Sequence, residues 1–380
     1  MVKKIVCVLL ILTLLFPLGG CWSYHSLNEI TIIAGAGVDV DPSSGDYLLT
    51  CEVIDLSAST KEGGIKSKIV ESRGETIFDA VRNAKKRLVN KMYWGNAQVL
   101  VIGNQLAKQG DIKKVIDWFI SDAECRETIG IIVSQEKAAK DILTIEGLDN
   151  NVVAYEIKKI IDNDQSDTAS LNSVQLFHAF NDLRSPGISL AIPAFHTVIN
   201  NGKPAVEANG MAVFKGEKML GYLTPDESKY FLFCINGVHG GVLTVSSGGQ
   251  GKKDVSLEVL KSATKTSYSY TQGKVKMTIQ TETEVSLDEM KSDTDLLDEK
   301  EISKIEKNTE DMLKNQILNV IKKVQNEYDS DIFEFGNLIY KKDPKLWAQL
   351  EPQWDDLFRT LQVEVTPKVN IMNTSFLKHR

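Results

Sequence analysis

Hydrophobic and polar positions alternate along this chain in two distinct rhythms, and the rhythm changes near residue 200. Ile30 to Val40 is apolar and β-branched, with Gly35 and Gly37 inside it. The cluster Asp41-Pro42-Ser43-Ser44-Gly45-Asp46 is a turn, and Tyr47 to Leu56 reads as the second strand of a hairpin. The polar, glycine-containing stretch 57–72 reads as an exposed loop. Ile77, Ala80, Val81, Ala84 and Leu88 follow a 3.6-residue period and predict an amphipathic helix over 76–92. Ala97 to Ile102 and Thr128 to Val133 read as short buried strands. A helix between them turns Val115, Ile116, Trp118 and Phe119 inward, which makes a right-handed βαβ unit. Helices are predicted at 136–143, 152–161 and 173–183, with Asn163 to Ser170 a polar loop. Ser185-Pro186-Gly187 breaks the chain before an extended segment over 188–199.

Asn200-Asn201-Gly202-Lys203-Pro204 is the strongest break in the molecule, and the main domain boundary is placed there. Beyond it, strands at 206–214 and 218–223 form a hairpin around Lys215-Gly216-Glu217. Thr224-Pro225-Asp226-Glu227 has the capping-box pattern with proline at the first helical position. Strands follow at 242–245, 254–266 and 274–285. A long amphipathic helix spans 300–328, a shorter one 344–350, and a last strand 361–372. The pattern predicts an α+β class: a mixed α/β multidomain chain in which an N-terminal βαβ-containing portion (30–199) leads through a linker (200–205) to a C-terminal portion (206–375). That second portion reads as antiparallel strands with a long packed helix, divisible into 206–250 and 251–375.

The first residues obey neither rhythm. Lys3 and Lys4 precede twelve residues, Ile5 to Phe16, broken only by Thr13; Pro17 and Leu18-Gly19-Gly20-Cys21 follow. This is the plan of a secretory signal. A membrane span needs roughly 20 apolar residues, so a permanent helix is the weaker reading. Leu18-Gly19-Gly20-Cys21 has the form of a bacterial lipobox, with cleavage between Gly20 and Cys21 and lipidation of Cys21. The expectation is a signal peptide at 1–20, a lipidated stalk at 21–29 with Trp22 at the lipid interface, and a thioether-linked diacylglycerol whose two acyl chains anchor stably where one is marginal. A cleaved signal with a chance cysteine after it is the plainer alternative.

Composition narrows function by exclusion. The whole chain carries a net charge of −7, which becomes −9 once Lys3 and Lys4 leave with the signal. An acidic body argues against nucleic acid as a partner. Cys51, Cys125 and Cys234 remain after processing, too few and too widely spaced for a disulfide framework, and allow one bridge at most. The histidines His25, His178, His196, His239 and His379 show no metal spacing. Gly35-Ala36-Gly37 lacks the third glycine and the following helix of a dinucleotide fingerprint, and Asp39 to Thr50 fits a calcium loop poorly. No serine-hydrolase elbow or phosphate loop occurs. No catalytic residue, metal or cofactor is expected, apart from the covalent diacylglycerol, with or without an N-acyl chain such as palmitate, on Cys21.

In order along the chain stand Cys21-Trp22 with Leu27-Asn28-Glu29 and Gly35-Ala36-Gly37-Val38-Asp39; Gly74-Glu75-Thr76-Ile77-Phe78-Asp79-Ala80-Val81-Arg82; Tyr93-Trp94-Gly95-Asn96-Ala97; Ala212-Val213-Phe214-Lys215-Gly216; and Ser330-Asp331-Ile332-Phe333-Glu334-Phe335-Gly336 with Trp347 and Trp354. Together they make the chain resemble the Ger(x)C lipoproteins, the C subunits of bacterial spore germinant receptors. Ser23-Tyr24-His25-Ser26 departs from the more charged segment expected after Cys21-Trp22. The resemblance implies three mixed α/β domains, a place on the outer face of the spore inner membrane, and two multi-pass membrane subunits as partners. It brings no catalytic residues. Trp22, Tyr93, Trp94, Phe333 and Phe335 are the candidate partner contacts, if exposed; core packing is the competing reading for the last four. A solute-binding lipoprotein that takes up the nutrient itself is the alternative function, and it predicts a deep polar pocket between domains.

Overall fold

The computed structural model describes residues 29–56, 65–148, 152–248, 251, 253–291 and 299–374. The signal, Gly20, Cys21 and Trp22 lie outside the described residues. Two sheets organise the body. The first has nine strands in the order β3-β2-β1-β5-β6-β7-β8-β9, with β4 also pairing β1. Its strands are β1 (Ile30–Val40), β2 (Tyr47–Asp55), β3 (Lys66–Gly74), β4 (Lys91–Tyr93), β5 (Val99–Ile102), β6 (Gly130–Ser134), β7 (Ala191–Asn200), β8 (Lys203–Lys215) and β9 (Lys218–Leu223). The centre, β1-β5-β6-β7, is parallel, while β2-β3 and β8-β9 extend it antiparallel on either side. Every residue of β5 and β6 is buried, as expected for parallel strands covered on both faces.

Helices connect and cover this sheet: α1 (Ile77–Ala84), α2 (Asn104–Gln109), α3 (Ile112–Ser121), α4 (Ala139–Leu143), α5 (Val153–Asp167) and α6 (Leu176–Asp182). The first, α1, ends earlier than its periodicity suggests. Lys85–Arg87 tightens into a 3-10 turn and β4 follows. Part of the stretch expected to be a loop, 57–72, is the edge strand β3, whose mostly polar, half-exposed residues hide its pairing with β2. The polar 163–167 segment is the end of α5.

The boundary at 200–205 is not a linker. Asn201 and Gly202, with φ of 50° and 80°, form the tight turn that joins β7 to β8, the residue pair such turns favour. The first sheet therefore runs through the expected boundary to Leu223. After α7 (Pro225–Cys234), a second sheet is ordered β10 (Val242–Val245), β11 (Val255–Thr271), β12 (Lys274–Met290) and β13 (Gln362–Thr374). Its last pairing is parallel, not antiparallel as the sequence suggested. The chain crosses over through α8 (Glu299–Lys323), a π-helical turn at Val324–Tyr328, α9 (Phe335–Lys342), α10 (Pro344–Leu350) and α11 (Trp354–Thr360). Ile305, Leu313, Ile317, Val320 and Ile321 of α8 face the core. Glu310 and Glu306 of the same helix accept hydrogen bonds from the Val369 and Ile371 amides (3.3 and 2.9 Å), so the free edge of β13 is partly closed.

Candidate functional site

The residues with the most telling chemistry are buried carboxylates, and each is engaged in holding backbone. Asp39, at the end of β1, accepts from the amides of Ala139 (2.7 Å) and Lys140 (3.4 Å) at the start of α4. Burial pushes its pKa up to about 6, against those two hydrogen bonds. Glu52 on β2 accepts from Val153 (2.9 Å) and Ala154 (2.8 Å) at the start of α5, and from the Ser67 hydroxyl (2.7 Å); burial raises it too. Helix N-termini attract carboxylates through unpaired amides and the helix dipole. Two neighbouring strands thus cap two helices about a hundred residues away.

The glycines beside these acids serve the same packing. A Cβ on Gly35 would stand 2.5 Å from Ala154 Cβ, and one on Gly37 would stand 2.9 Å from Ala139 Cβ. Gly35-Ala36-Gly37-Val38-Asp39 is therefore a seat for two helix N-termini. Gly74 is needed because α1 passes within 2.2 Å of its missing Cβ, at the Ala80 amide. The Tyr93 ring lies across Gly95, whose Cβ would meet the phenol oxygen at 2.5 Å.

The densest cluster joins the two parts of the body. Asp331, fully enclosed, accepts from the amides of Phe333 (3.2 Å), Phe335 (3.2 Å) and Gly336 (2.8 Å) and from the Trp354 indole (3.2 Å). Burial pushes its pKa up to about 7, with the Gly336, Phe335, Trp354 and Phe333 hydrogen bonds opposing. The same loop grips the segment leading into β7. Ser189 donates to the Asp331 carbonyl (2.8 Å), and Asn337 donates to the carbonyls of Gly187 (2.7 Å) and Pro186 (2.9 Å). The Ser330 hydroxyl donates to the Phe214 carbonyl. Gly187, at φ 66°, and Gly336 touch backbone to backbone; a Cβ on Gly187 would lie 2.5 Å from the Gly336 carbonyl carbon. Outside, Lys215 binds Asp329 (2.6 Å) and Asp355 (3.0 Å), and Arg359 also binds Asp329 (2.6 Å). Burial works to raise Asp329, but Arg359 and Lys215 hold it below the usual carboxylate range.

Three of the candidate partner contacts are core residues instead. Trp94, Phe333 and Phe335 are 3%, 3% and 0% exposed. Trp94 packs edge-on against Trp118 and Phe119. Phe333 packs against Phe231, Phe335 and Phe358. The Asp331 carboxylate turns the Ile332–Phe335 loop inward, which a count of apolar residues in a loop does not show. Tyr93 is 40% exposed and is available on one edge. The three cysteines are free; Cys51 and Cys234 are buried and Cys125 half-buried.

A cavity of about 340 Å³ lies against this junction, lined by His178, Asp182, His239 and Glu334 among others. Burial and the nearby Glu334 push Asp182 up to about 6. Among the described residues no group of three or more His, Cys, Asp or Glu side chains is placed to hold a metal ion, and no helix is long and apolar enough to cross a membrane.

The geometry defines a two-part α+β body whose signature residues serve its own joints. Residues 23–197 match the family described as the spore germination protein N-terminal domain, and 209–375 match the spore germination B3/GerAC-like C-terminal family. The chain belongs to this Ger(x)C family, the C subunits of germinant receptors. The break between the two matches falls on the β7–β8 turn and the first half of β8. Relatives from Bacillus subtilis (strain 168) align nearly end to end. Spore germination protein KC is 24% identical, covering 100% of this chain and 99% of the relative. Spore germination protein A3 is 26% identical, with 98% and 97% covered. The crystal structure of the GerBC protein shares the fold, with a TM-score of 0.59 at 19% identity, over 89% of this chain and 98% of that one.

Proposed function

We propose that this chain is the lipid-anchored, non-enzymatic subunit of a nutrient germinant receptor, held by acylated Cys21 on the outer face of the spore inner membrane beside two multi-pass subunits. The observation that supports it most is the pair of family matches, which together run from residue 23, just past Cys21-Trp22, to residue 375. The chemistry agrees. Asp39, Glu52 and Asp331 are buried and spent on backbone amides, which keeps them out of a substrate's reach. The lipid confines the body to two dimensions and raises its effective concentration beside membrane partners, so weak surface contacts suffice. The Cys21→Ala chain is expected to leave the membrane fraction of spores and to impair nutrient germination. Full membrane retention with normal germination would overturn the proposal.

The polar cavity by Asp182 and Glu334 favours a second reading, direct capture of the nutrient. Calorimetry of the body with amino acids and sugars separates the two: saturable micromolar heats support capture, and flat titrations support the assembly role.

A further inference from the structure

The end of the first sheet from which β1 starts is unlike the rest of this acidic chain. Ile30 pairs with Lys91, and Asp55 pairs with Lys66, so the start of β1, the end of β2, the start of β3 and the start of β4 share one edge of the body. The 85–90 connection runs to β4 at this same end. Four large aliphatic side chains stand exposed near it: Leu56, Ile65, Ile69 and the wholly solvated Val89. Lys66, Lys86, Arg87 and Lys91 are exposed and Lys85 is half-exposed. Lys91 pairs with Glu124, and Lys68 with Asp55. Arg87 donates to the Glu71 carbonyl (2.8 Å), and Lys66, Lys85 and Lys86 make no ion pair with a described carboxylate. The acids at this end are Glu29 at the chain's entry, Asp55, which Lys68 neutralises, and Glu124, which Lys91 neutralises; Asp122 and Glu127 lie past the end of α3 around Arg126.

Chain length fixes what this edge meets. Eight residues, Cys21 to Asn28, separate the lipidation site from Glu29. Fully extended they reach no more than about 30 Å. A body of this size has a radius of gyration of about 20 Å, so the tether is shorter than the body is wide. The edge where β1 begins is the one that the anchor draws toward the bilayer. Cations with aliphatic side chains among them suit an interface of anionic headgroups over acyl chains.

We infer that this edge, Leu56, Ile65 and Val89 with Lys66, Lys85, Lys86 and Arg87, is a membrane-seating face that rests on anionic phospholipid and orients the body. The inference depends on acylation of Cys21 for the tether, whereas the face itself is testable without it. The Cys21→Ala chain keeps the whole described core, and its partition onto phosphatidylglycerol vesicles is the direct measure. Binding is expected on phosphatidylglycerol and not on phosphatidylcholine alone. Each cation near an anionic surface is worth roughly fivefold in partition, so Lys66→Glu with Lys86→Glu is expected to weaken it by on the order of tenfold or more. Unchanged partition in that double variant, or none in the parent, overturns the face. Loss of germination with lipid partition unchanged also overturns it, because the edge would then meet a protein.

In the acylated chain on the same vesicles, a dye on Val89→Cys is expected to be quenched by lipid-borne quenchers several-fold more than one on Pro42→Cys, at the far end of β1. Equal quenching overturns the orientation. The native thiols interfere little: burial pushes Cys125 up to about 12 and Cys51 up to about 12, and it raises Cys234 as well.

Discussion

Asp39 shows what one buried carboxylate does to a protein of this kind. Its folded pKa of about 6 lies above the ordinary aspartate value of 3.8. An acid raised in the folded state favours folding fully below its unfolded pKa, and that contribution is lost as pH climbs through the folded value. Between pH 5 and pH 8 the loss from Asp39 amounts to about 1.4 kcal/mol. Asp331, at about 7, acts in the same direction. The lowered acid Asp329 acts below this window, losing its contribution as pH falls. Urea midpoints are expected to fall from pH 5 to pH 8, and Asp39→Asn, which keeps the Oδ1 acceptor, is expected to flatten that fall. A slope identical to the parent's would show that Asp39 titrates normally. Asp331→Asn is more severe. The second oxygen of Asp39 takes only the long bond from Lys140 (3.4 Å), whereas each oxygen of Asp331 accepts two, so an amide must turn N–H against N–H, and about 1–3 kcal/mol of stability is expected to go. Little of this was legible beforehand. Asp39 and Glu52 sit among apolar neighbours with nothing in the sequence to name partners a hundred residues on.

At the scale of elements, the strongest patterns told the truth. The hairpin of β1 and β2, the βαβ unit and α8 all came from periodicity, because each buries one regular face. The capping box at Thr224 forms both its hydrogen bonds, Glu227 amide to Thr224 Oγ1 (3.3 Å) and Thr224 amide to the Glu227 carboxylate (2.8 Å). Failures fell where pairing, not burial, makes the element. Lys66–Gly74 has too few apolar positions to announce a strand, and the parallel register of β13 depends on a crossover that no local pattern encodes. Periodicity places the glycines of β1 inside a strand but does not show what they make room for, which is α4 and α5. Gly35→Ala is expected to push α5 off the sheet and cost about 1–3 kcal/mol, read as a lowered denaturant midpoint with unchanged slope. A midpoint within error of the parent's would mean that α5 shifts freely.

For the whole molecule, the loop around Asp331 decides whether two sheets behave as one body. Ser189, Asn337, Ser330 and the Gly187–Gly336 contact tie the entrance of β7 to the crossover helices. A single thermal transition is therefore expected. Gly336→Ala, whose Cβ would lie 2.8 Å from Gly187 Cα, is expected to split it into two, followed by calorimetry. One undivided transition at the parent's temperature would remove the junction from its role. The family boundary near residue 200 marks a division of sequence; the division of packing comes later, after Leu223.

The parallel strand β13 also sets an order of events. The first sheet has all its strands once Leu223 has emerged, but β12 has no second neighbour until Gln362–Thr374 is made. A strand of 17 residues waits with one edge unpaired throughout the synthesis of α8 to α11, and an unpaired edge of that length invites other chains. The half nearest Cys21 is finished early in the life of each molecule; the far half is finished only with its last strand, and a chain halted before Gln362 leaves the ribosome with an adhesive edge instead of a closed sheet.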